Sequence, residues 1–264
     1  MNKIGWCDET WNPVTGCTAA SIGCVNCWAK RMATRLRGRC GYPHDDPFRP
    51  GVVHVDKLEG PMPGGPGDFV FVCSMGDLFH DDVDDDVVQR VLQRAACTED
   101  RVFLLLTKRP ERMRLAFDEL PRRLGLMSKT SPPANVWAGV SVEDQDTADE
   151  RLGALALTRA ARRFVSWEPA LGPVSFVDNL DWLDWLIVGG ENGPNARPAP
   201  HDSMLRSLTD CARMDVPFWF KGFGAEYQSD EAVQYVVELM QQRPNVAWTR
   251  IALDRIARRA RRRR

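Results

Sequence analysis

Six short, almost uninterrupted apolar runs recur through the middle and end of the chain, and amphipathic stretches separate them. Apolar runs of this length are typical of strands that are buried on both faces of a parallel sheet. The predicted strands span 68–74, 101–107, 135–142, 163–167, 185–189 and 217–221. A chain that alternates such strands with helices belongs to the α/β class.

The stretches between these runs have the periodicity of helices. The predicted helices span 84–96, 110–124, 144–156 and 202–214. An earlier helix is predicted over 28–37, with Gly38 directly after it as a stop signal. We also predict a short strand at 4–7 and surface loops at 60–67 and 128–134, because both loop segments are rich in residues that interrupt regular structure.

Polar or glycine-rich residues follow each of the six predicted strands at its carboxyl end. They are SMGD at 74–77, TKR at 107–109, SVED at 141–144, WEP at 167–169, GGEN at 189–192 and KG at 221–222. Any one of these sets can simply cap the next helix, but six together favour a shared site. A barrel points all its strand ends at one mouth, whereas a doubly wound sheet uses only those near its switch point. We therefore predict a complete or partial β/α (TIM-like) barrel.

Domain organisation follows from the charge distribution. The chain has 35 basic and 36 acidic residues, and seven of the arginines lie at 255–264, where there is no acid. Residues 1–254 therefore carry 28 basic against 36 acidic residues, a net charge of −8. We predict one barrel domain over 1–250 and an arginine-rich tail over 251–264. The arginines from Arg258 to Arg264 are expected to bind nucleic acid phosphates, or else to form a solvated helix end.

Cellular location is predicted from what the sequence lacks. No window approaches the about 20 apolar residues of a membrane span, and the first residues contain no apolar stretch typical of a secretory signal. We expect a cytoplasmic protein without membrane contact. In a reducing compartment, clustered cysteines are more often metal ligands than disulfides.

The clearest chemical signal is the set Cys17, Cys24 and Cys27, with six and then two residues between successive cysteines. Thiolates at short spacing suit an iron–sulfur cluster or zinc. Three ligands leave one position open to a small molecule. Cys7 is a possible fourth ligand for a closed zinc site, although a lone cysteine near a strand is more often part of the core.

A series of motifs in order gives a resemblance to a known family. They are GWCDETWNPVTGCTAASIGCVNCWA, CSMGDLFHDDV, LLTKRPERM, VWAGVSVEDQ, WEPALGP, IVGGENGPNARP and PFWFKGFG. The chain resembles the three-Cys-motif phage proteins, which belong to the radical S-adenosylmethionine superfamily. The motif order is also similar to that of spore photoproduct lyase. The commonest superfamily cysteine spacing is shorter by three residues, so the loop here is expected to bulge.

The resemblance implies a barrel of the radical S-adenosylmethionine type with two cofactors. Cys17, Cys24 and Cys27 would hold a [4Fe–4S] cluster, and S-adenosyl-L-methionine would be the second cofactor. Contacts to that second cofactor are implied for Asp77 (ammonium), Lys108 (carboxylate), Ser141, Glu143 and Gly76.

The implied activity is a reaction on a substrate by way of a 5′-deoxyadenosyl radical. Glu168 and Glu191 would lie on the substrate side as catalytic residues. The implied substrate is a nucleic acid base or nucleotide, in phage-associated repair or modification, and an electron-donor protein is implied as a partner. The alternative is a zinc-binding nucleic-acid-binding or scaffold protein without catalysis.

Overall fold

A computed structural model describes residues 4–125, 131–225, 237–238 and 240–244 of the chain. The strands among them are β1 Glu9–Trp11, β2 Val14–Thr15, β3 Val52–Val53, β4 Phe69–Val72, β5 Val102–Thr107, β6 Val136–Val142, β7 Arg163–Trp167, β8 Trp185–Gly189 and β9 Phe218–Gly222. The α-helices are α1 Trp28–Arg35, α2 Val55–Glu59, α3 Asp85–Cys97, α4 Pro110–Arg123, α5 Gln145–Leu157 and α6 His201–Arg213. Short 3₁₀ turns occupy Ile22–Cys24 and Val177–Asn179.

Seven of these strands form one parallel sheet in the order β1, β4, β5, β6, β7, β8, β9, and β2 pairs with β3 in a small antiparallel sheet. The large sheet is curled into a half-barrel whose edges, within the described residues, are β1 and β9. The predicted α/β class and the partial barrel are confirmed in this form. The carboxyl ends of all seven strands therefore meet on one side.

Side chains alternate between two cores along every long strand, as the two-residue period of a strand requires. On β6, Val136 and Val140 face the outer core beneath the helices, whereas Trp137 faces the inner core within the curl. The inner core is dominated by aromatic rings, and Trp6 lies among them with its ring centroid 4.7 Å from that of Phe71. The same alternation aims the residues at the strand ends either inward to the curl or outward to the helices.

Helix capping fixes where two strands end and the next helices begin. Pro110 opens α4 directly after Lys108 and Arg109, a position where its missing N–H has no cost. Asp144 and Thr147 form a reciprocal capping box at the start of α5. Glu143, which comes directly before Asp144, is thereby held at the junction between β6 and α5.

The predicted strands and helices mostly agree with the structure. β7 and β8 have the predicted bounds, the other four predicted strands and the four later helices differ by one or two residues, and α1 ends at Arg35, two residues early. Gly38 follows with φ +68°, in agreement with its role as a stop signal. The predicted loop at 60–67 is confirmed, as are 131–134 of the second loop, whose residues 128–130 lie outside the described chain.

The predicted strand at 4–7 is wrong. Gly5 has φ +88°, which interrupts any extended run, and β1 begins only at Glu9. Trp6 and Cys7 are nevertheless buried, because this irregular segment lies against the inner core. Apolar character here reflects burial and not strand pairing. The small β2 and β3 sheet and the helix α2 were not predicted.

The predicted tail at 251–264, including the arginines from Arg258 to Arg264, lies outside the described residues. No described helix combines the length and the apolar character that crossing a bilayer requires.

Candidate functional site

A cavity of about 760 Å³ opens at the carboxyl ends of the parallel strands. One wall is the cysteine loop, residues 16–27, and the other consists of the strand ends. Nine of the ten predicted site residues line it: Cys17, Cys24, Cys27, Gly76, Asp77, Lys108, Ser141, Glu168 and Glu191. The tenth, Glu143, is fully buried and contacts Lys108 from behind. The fold thus brings together residues that are up to 174 positions apart in the sequence.

The cysteine loop is attached to the body at both ends. At its start, Gly16 donates its N–H to the carbonyl of Met75 at 3.0 Å and forms an isolated bridge with Gly76. A Cβ on Gly76 would lie 2.7 Å from the Gly16 carbonyl oxygen, so glycine is required for this approach. At its end, Cys27 is the residue before α1 and its carbonyl accepts the N–H of Arg31.

Lys108 is the cation next to Cys24. Its Nζ lies 3.7 Å from the Cys24 Sγ and donates to the Ser21 hydroxyl at 3.1 Å. The same ammonium forms an ion pair with Glu143, whose carboxylate also accepts the Ser21 hydroxyl at 2.8 Å. Lys108 thus joins the cysteine loop to the end of β5.

Glu143 has a second cationic partner that the sequence analysis missed. The Nη1 of Arg151 lies 3.2 Å from a Glu143 carboxylate oxygen and donates to the Ser141 carbonyl at 2.6 Å. Both ionic side chains are fully buried. Lys108, Glu143 and Arg151 therefore form a charged triad that reaches from the cavity wall into the outer layer of helices.

Arg109 occupies the equivalent place next to Cys17. Its Nη1 lies 3.5 Å from the Cys17 Sγ and 2.9 Å from the Asp77 carboxylate. Asp77 also accepts the Thr107 hydroxyl, at 2.7 Å, and the backbone N–H of Phe79, at 3.0 Å. These three donors engage both carboxylate oxygens of Asp77, so the predicted contact with a cofactor ammonium would share an oxygen that already accepts a hydrogen bond.

The two thiols differ in acidity. Burial and the nearby Asp77 charge raise the pKa of Cys17 to about 11, against the opposing effect of Arg109. For Cys24, burial works to raise the pKa, but the Lys108 charge and hydrogen bonds from Ala20 and Ser21 outweigh it, so the net direction is downward. A thiol with a lowered pKa is readily deprotonated, which is the form that binds metal.

A third polar cluster joins the cysteine loop to the end of β8. Glu191 accepts the side-chain amide of Asn26 at 2.9 Å and the guanidinium of Arg197 at 2.5 Å. Arg197 in turn donates to the carbonyl of Ile22 at 3.1 Å. Burial works against ionisation, yet these bonds hold the pKa of Glu191 down to about 2. Glu191 is therefore a fixed negative charge that orients the loop.

Glu168 lies deeper, above the inner core. One carboxylate oxygen accepts the Trp6 indole N–H at 3.2 Å and the Ser166 hydroxyl at 3.0 Å, and the other lies 2.6 Å from the Lys221 Nζ. The Ser141 hydroxyl donates to the Glu168 backbone carbonyl at 3.0 Å. Both Glu168 and Lys221 line the cavity, so a carboxylate and an ammonium group lie in contact at its floor.

The three thiols of the cysteine loop are of the ligand type that soft metal ions prefer. Three thiols from one loop line the cavity, and Lys108 and Arg109 provide positive charge beside two of them. Within the described residues, no three His, Cys, Asp or Glu side chains form a group that could hold a metal ion. Cys7 packs in the inner core, and burial and the nearby Asp8 raise its pKa to about 12.

A family model described as a protein of unknown function, DUF5131, matches residues 1–261. The chain belongs to the DUF5131 family. No functionally curated protein and no solved structure matches it. The matched range contains the cysteine loop and every strand end that lines the cavity, so the whole candidate site lies within the region that defines this DUF5131 protein.

Sequence reasoning did not assign the ion-pair partners that fix the site in this DUF5131 member, although Arg109 and Lys221 belong to the predicted strand-end sets at 107–109 and 221–222. Arg151 lies in α5 and Arg197 in the irregular segment between β8 and α6, where arginine is ordinarily a surface residue. Lys221 was predicted at the shared site, and its pairing with Glu168 was within reach, because it lies two residues beyond the inward-facing Trp219 on the same strand. Arg109 adjoins Lys108, and only the three-dimensional structure separates their roles.

Proposed function

We propose that this DUF5131 protein is a radical S-adenosylmethionine enzyme whose [4Fe–4S] cluster is held by Cys17, Cys24 and Cys27. The observation that carries the proposal is the placement of all three thiols on one wall of a cavity whose other wall is the charged carboxyl ends of parallel strands. The motif resemblance supports it, because it concerns the same cysteines and the same strand ends.

The chemistry requires a cluster with one open iron site and S-adenosyl-L-methionine. Cys17, Cys24 and Cys27 would hold the cluster, and with one electron from an electron-donor protein the bound pair would supply 5′-deoxyadenosyl-radical chemistry, with methionine as the second product.

The residues of the chain prepare the site for this chemistry by positioning charge. Lys108 Nζ lies 3.7 Å from the Cys24 Sγ and Arg109 Nη1 lies 3.5 Å from the Cys17 Sγ, so each cation would offset the negative charge of a metal-bound thiolate. Lys108 also presents an ammonium to the cavity, where it can bind a carboxylate. Ser141 and Gly76 contribute a hydroxyl and a closely approaching backbone to the same wall.

The floor of the cavity is suited to a polar, planar substrate. Glu168 and Lys221 offer an acceptor and a donor side by side, and the Trp6 ring and Phe71 provide apolar surface next to them. We propose a nucleic acid base or nucleotide as the substrate, because such a molecule carries hydrogen-bonding edges on a flat apolar ring. Glu191, with a pKa of about 2, remains ionised and is assigned to orient the loop beside the substrate.

The decisive experiment is anaerobic reconstitution of the full chain with iron and sulfide. We expect a brown protein with about four irons per chain that releases 5′-deoxyadenosine from S-adenosyl-L-methionine after reduction by dithionite. Nucleic acid added to the assay should change the rate of release. Stoichiometric zinc in a colourless protein that releases no 5′-deoxyadenosine would instead establish the non-catalytic zinc protein.

Two variants separate cluster binding from cofactor binding. Cys24→Ala should lose the cluster, whereas the matched control Cys97→Ala, which removes an exposed cysteine at the end of α3, should retain full iron content. Lys108→Met should retain iron but bind S-adenosyl-L-methionine about tenfold to a hundredfold more weakly, since a charge-assisted hydrogen bond is lost. Normal cofactor affinity in Lys108→Met would refute the assigned role of Lys108.

A further inference from the structure

The first helix and the turn after it carry a dense positive charge beside the cavity. Lys30, Arg31, Arg35, Arg37 and Arg39, called here the basic rim, fall within ten residues that include no acid. All are exposed except Arg31, which is partly buried. Among the described residues no ion pair involves any of them. This charge is therefore directed at solvent or at a partner.

The basic rim is positively charged, whereas residues 1–254 as a whole have a negative net charge. Residues 1–254 have a net charge of −8, yet residues 30–39 contribute five positive charges without compensation. The guanidinium groups of Arg37 and Arg39 donate to backbone carbonyls of His44 and Arg35, at 2.6 Å and 2.7 Å, and these contacts leave the charge itself unmatched. A local cluster of this kind attracts polyanions in preference to other ligands.

An exposed aromatic ring lies between the basic rim and the cavity. Trp28 and Met32 are four residues apart on α1, are 47% and 36% exposed, and line the cavity opening. Arg31 and Arg35 have the same four-residue spacing, so they form a neighbouring stripe on the same exposed side of the helix. Ala29 and Ala33 face the core. An indole next to cations is a platform on which a base can stack while its phosphates are neutralised.

We infer that the basic rim and Trp28 bind single-stranded nucleic acid and direct one nucleotide into the cavity. The inference deepens the proposed function, on which its assignment of a substrate rests, but binding itself requires no cluster. The cavity volume of about 760 Å³ lies within the roughly 300 to 1,000 Å³ of pockets that take a small molecule. A single strand fits better than a duplex, because a base in a duplex cannot reach a cavity without being flipped out.

The test measures binding of a fluorescein-labelled single-stranded oligodeoxynucleotide to the full chain by fluorescence anisotropy over a range of salt concentrations. Arg31→Glu with Arg35→Glu should weaken binding more than tenfold. The slope of log K against log salt should become shallower by about 1.4, since each lost phosphate contact removes about 0.7 on a single strand.

The matched control makes the same change of charge elsewhere. Arg159 is exposed between α5 and β7, at the opposite end of the strands, and Arg206 is exposed on α6. Arg159→Glu with Arg206→Glu should leave affinity within about twofold of the original. Trp28→Ala should weaken binding about tenfold with an unchanged salt slope, because stacking and charge are separate contributions, and Trp28→Phe should restore most of it.

Two outcomes would overturn the inference. In one, the double variant of Arg31 and Arg35 binds normally while serine replacements of the arginines from Arg258 to Arg264 abolish binding. In the other, the double variant binds the oligonucleotide normally but is no longer reduced by an acidic electron-carrier protein, so the partner of the rim is a protein. Release of 5′-deoxyadenosine without nucleic acid, measured on the same samples, tests the proposed function separately. If the unmodified chain binds the oligonucleotide but releases no 5′-deoxyadenosine, only the proposed function is contradicted.

Discussion

Cys24 and Cys17 have similarly arranged charged neighbours, but their pKa values are shifted in opposite directions. Each thiol lies beside a cation from the end of β5, Lys108 or Arg109, and each cation pairs with a buried carboxylate, Glu143 or Asp77. Yet the pKa of Cys24 is lowered, whereas burial and Asp77 raise the pKa of Cys17 to about 11.

The difference in pKa lies in the balance of burial, adjacent charge and hydrogen bonds at each thiol. Glu143 pairs with both Lys108 and Arg151, and Arg151 also lies 3.8 Å from the carboxylate of Glu150. Asp77 has Arg109 as its one ion-pair partner among the described residues, so that pair is neutral. At Cys24 the Lys108 charge and the hydrogen bonds from Ala20 and Ser21 outweigh burial, whereas at Cys17 burial and the Asp77 charge outweigh Arg109.

The largest expected effect comes from Arg151→Met, which removes the charge behind Glu143. A buried carboxylate that loses a partner costs about 3 kcal/mol of unfolding free energy, at the low end of the usual range because Lys108 remains. Urea denaturation at neutral pH measures this loss. Arg159→Met, which removes an exposed arginine just past the end of α5, should change the unfolding free energy by less than about 0.5 kcal/mol. Equal stability of the two variants would show that the charge of Arg151 is not needed by Glu143.

A smaller effect is expected when Lys108→Met is tested by thiol alkylation of the metal-free protein. Because the pKa of Cys24 is lowered from 9.0, its thiolate is more abundant below pH 9 than that of an ordinary cysteine, and alkylation should be fast there. Loss of Lys108 should slow Cys24 roughly tenfold, as expected for one charge-assisted hydrogen bond of about 1.5 kcal/mol.

Mass spectrometry of alkylated peptides resolves the individual sites in that experiment. Exposed Cys97 is the internal control and should keep its rate. Cys17 should react slowly until the pH approaches its pKa of about 11. If Cys24 is alkylated at the same rate in Lys108→Met, the Lys108 charge does not lower the pKa of Cys24.

The smallest effect is expected for Asp77→Asn. The substitution removes a negative charge that raises the pKa of Cys17 and leaves Arg109 unmatched, so alkylation of Cys17 should become faster by about threefold, opposite in sign to the Lys108 result. Cys17 should still react more slowly than Cys24, because its burial is unchanged. Asp82→Asn, which alters an exposed acid, serves as the control. No change in Asp77→Asn would mean that burial alone sets the acidity of Cys17.

Much of this architecture was predictable because the decisive signals are local. β7 and β8 have the predicted bounds, since each is a mostly apolar run, followed by Glu168 after β7 and by Gly190 and Glu191 after β8. The placement of Lys108 and Glu168 at one mouth follows from parallel strands alone. Arg151 was not predictable, because eight residues separate it from Glu143 and only the packing of α5 against β6 brings them together. The segment at 4–7 was wrongly predicted to be a strand, because buried residues are apolar whether or not they pair in a sheet.

Gly23 determines where the cysteine loop can vary among relatives. A single methyl group at this residue would lie 2.6 Å from the Glu143 side chain and 2.8 Å from the Lys108 Nζ. Gly23 therefore does not tolerate a side chain, and an inserted residue within 21–24 would shift Gly23 away from this contact with the strand ends. Thr18, Ala19 and Ala20 are exposed. Homologous chains with a different number of residues between the first two cysteines should accommodate the change there, with the four residues through Cys24 kept in length.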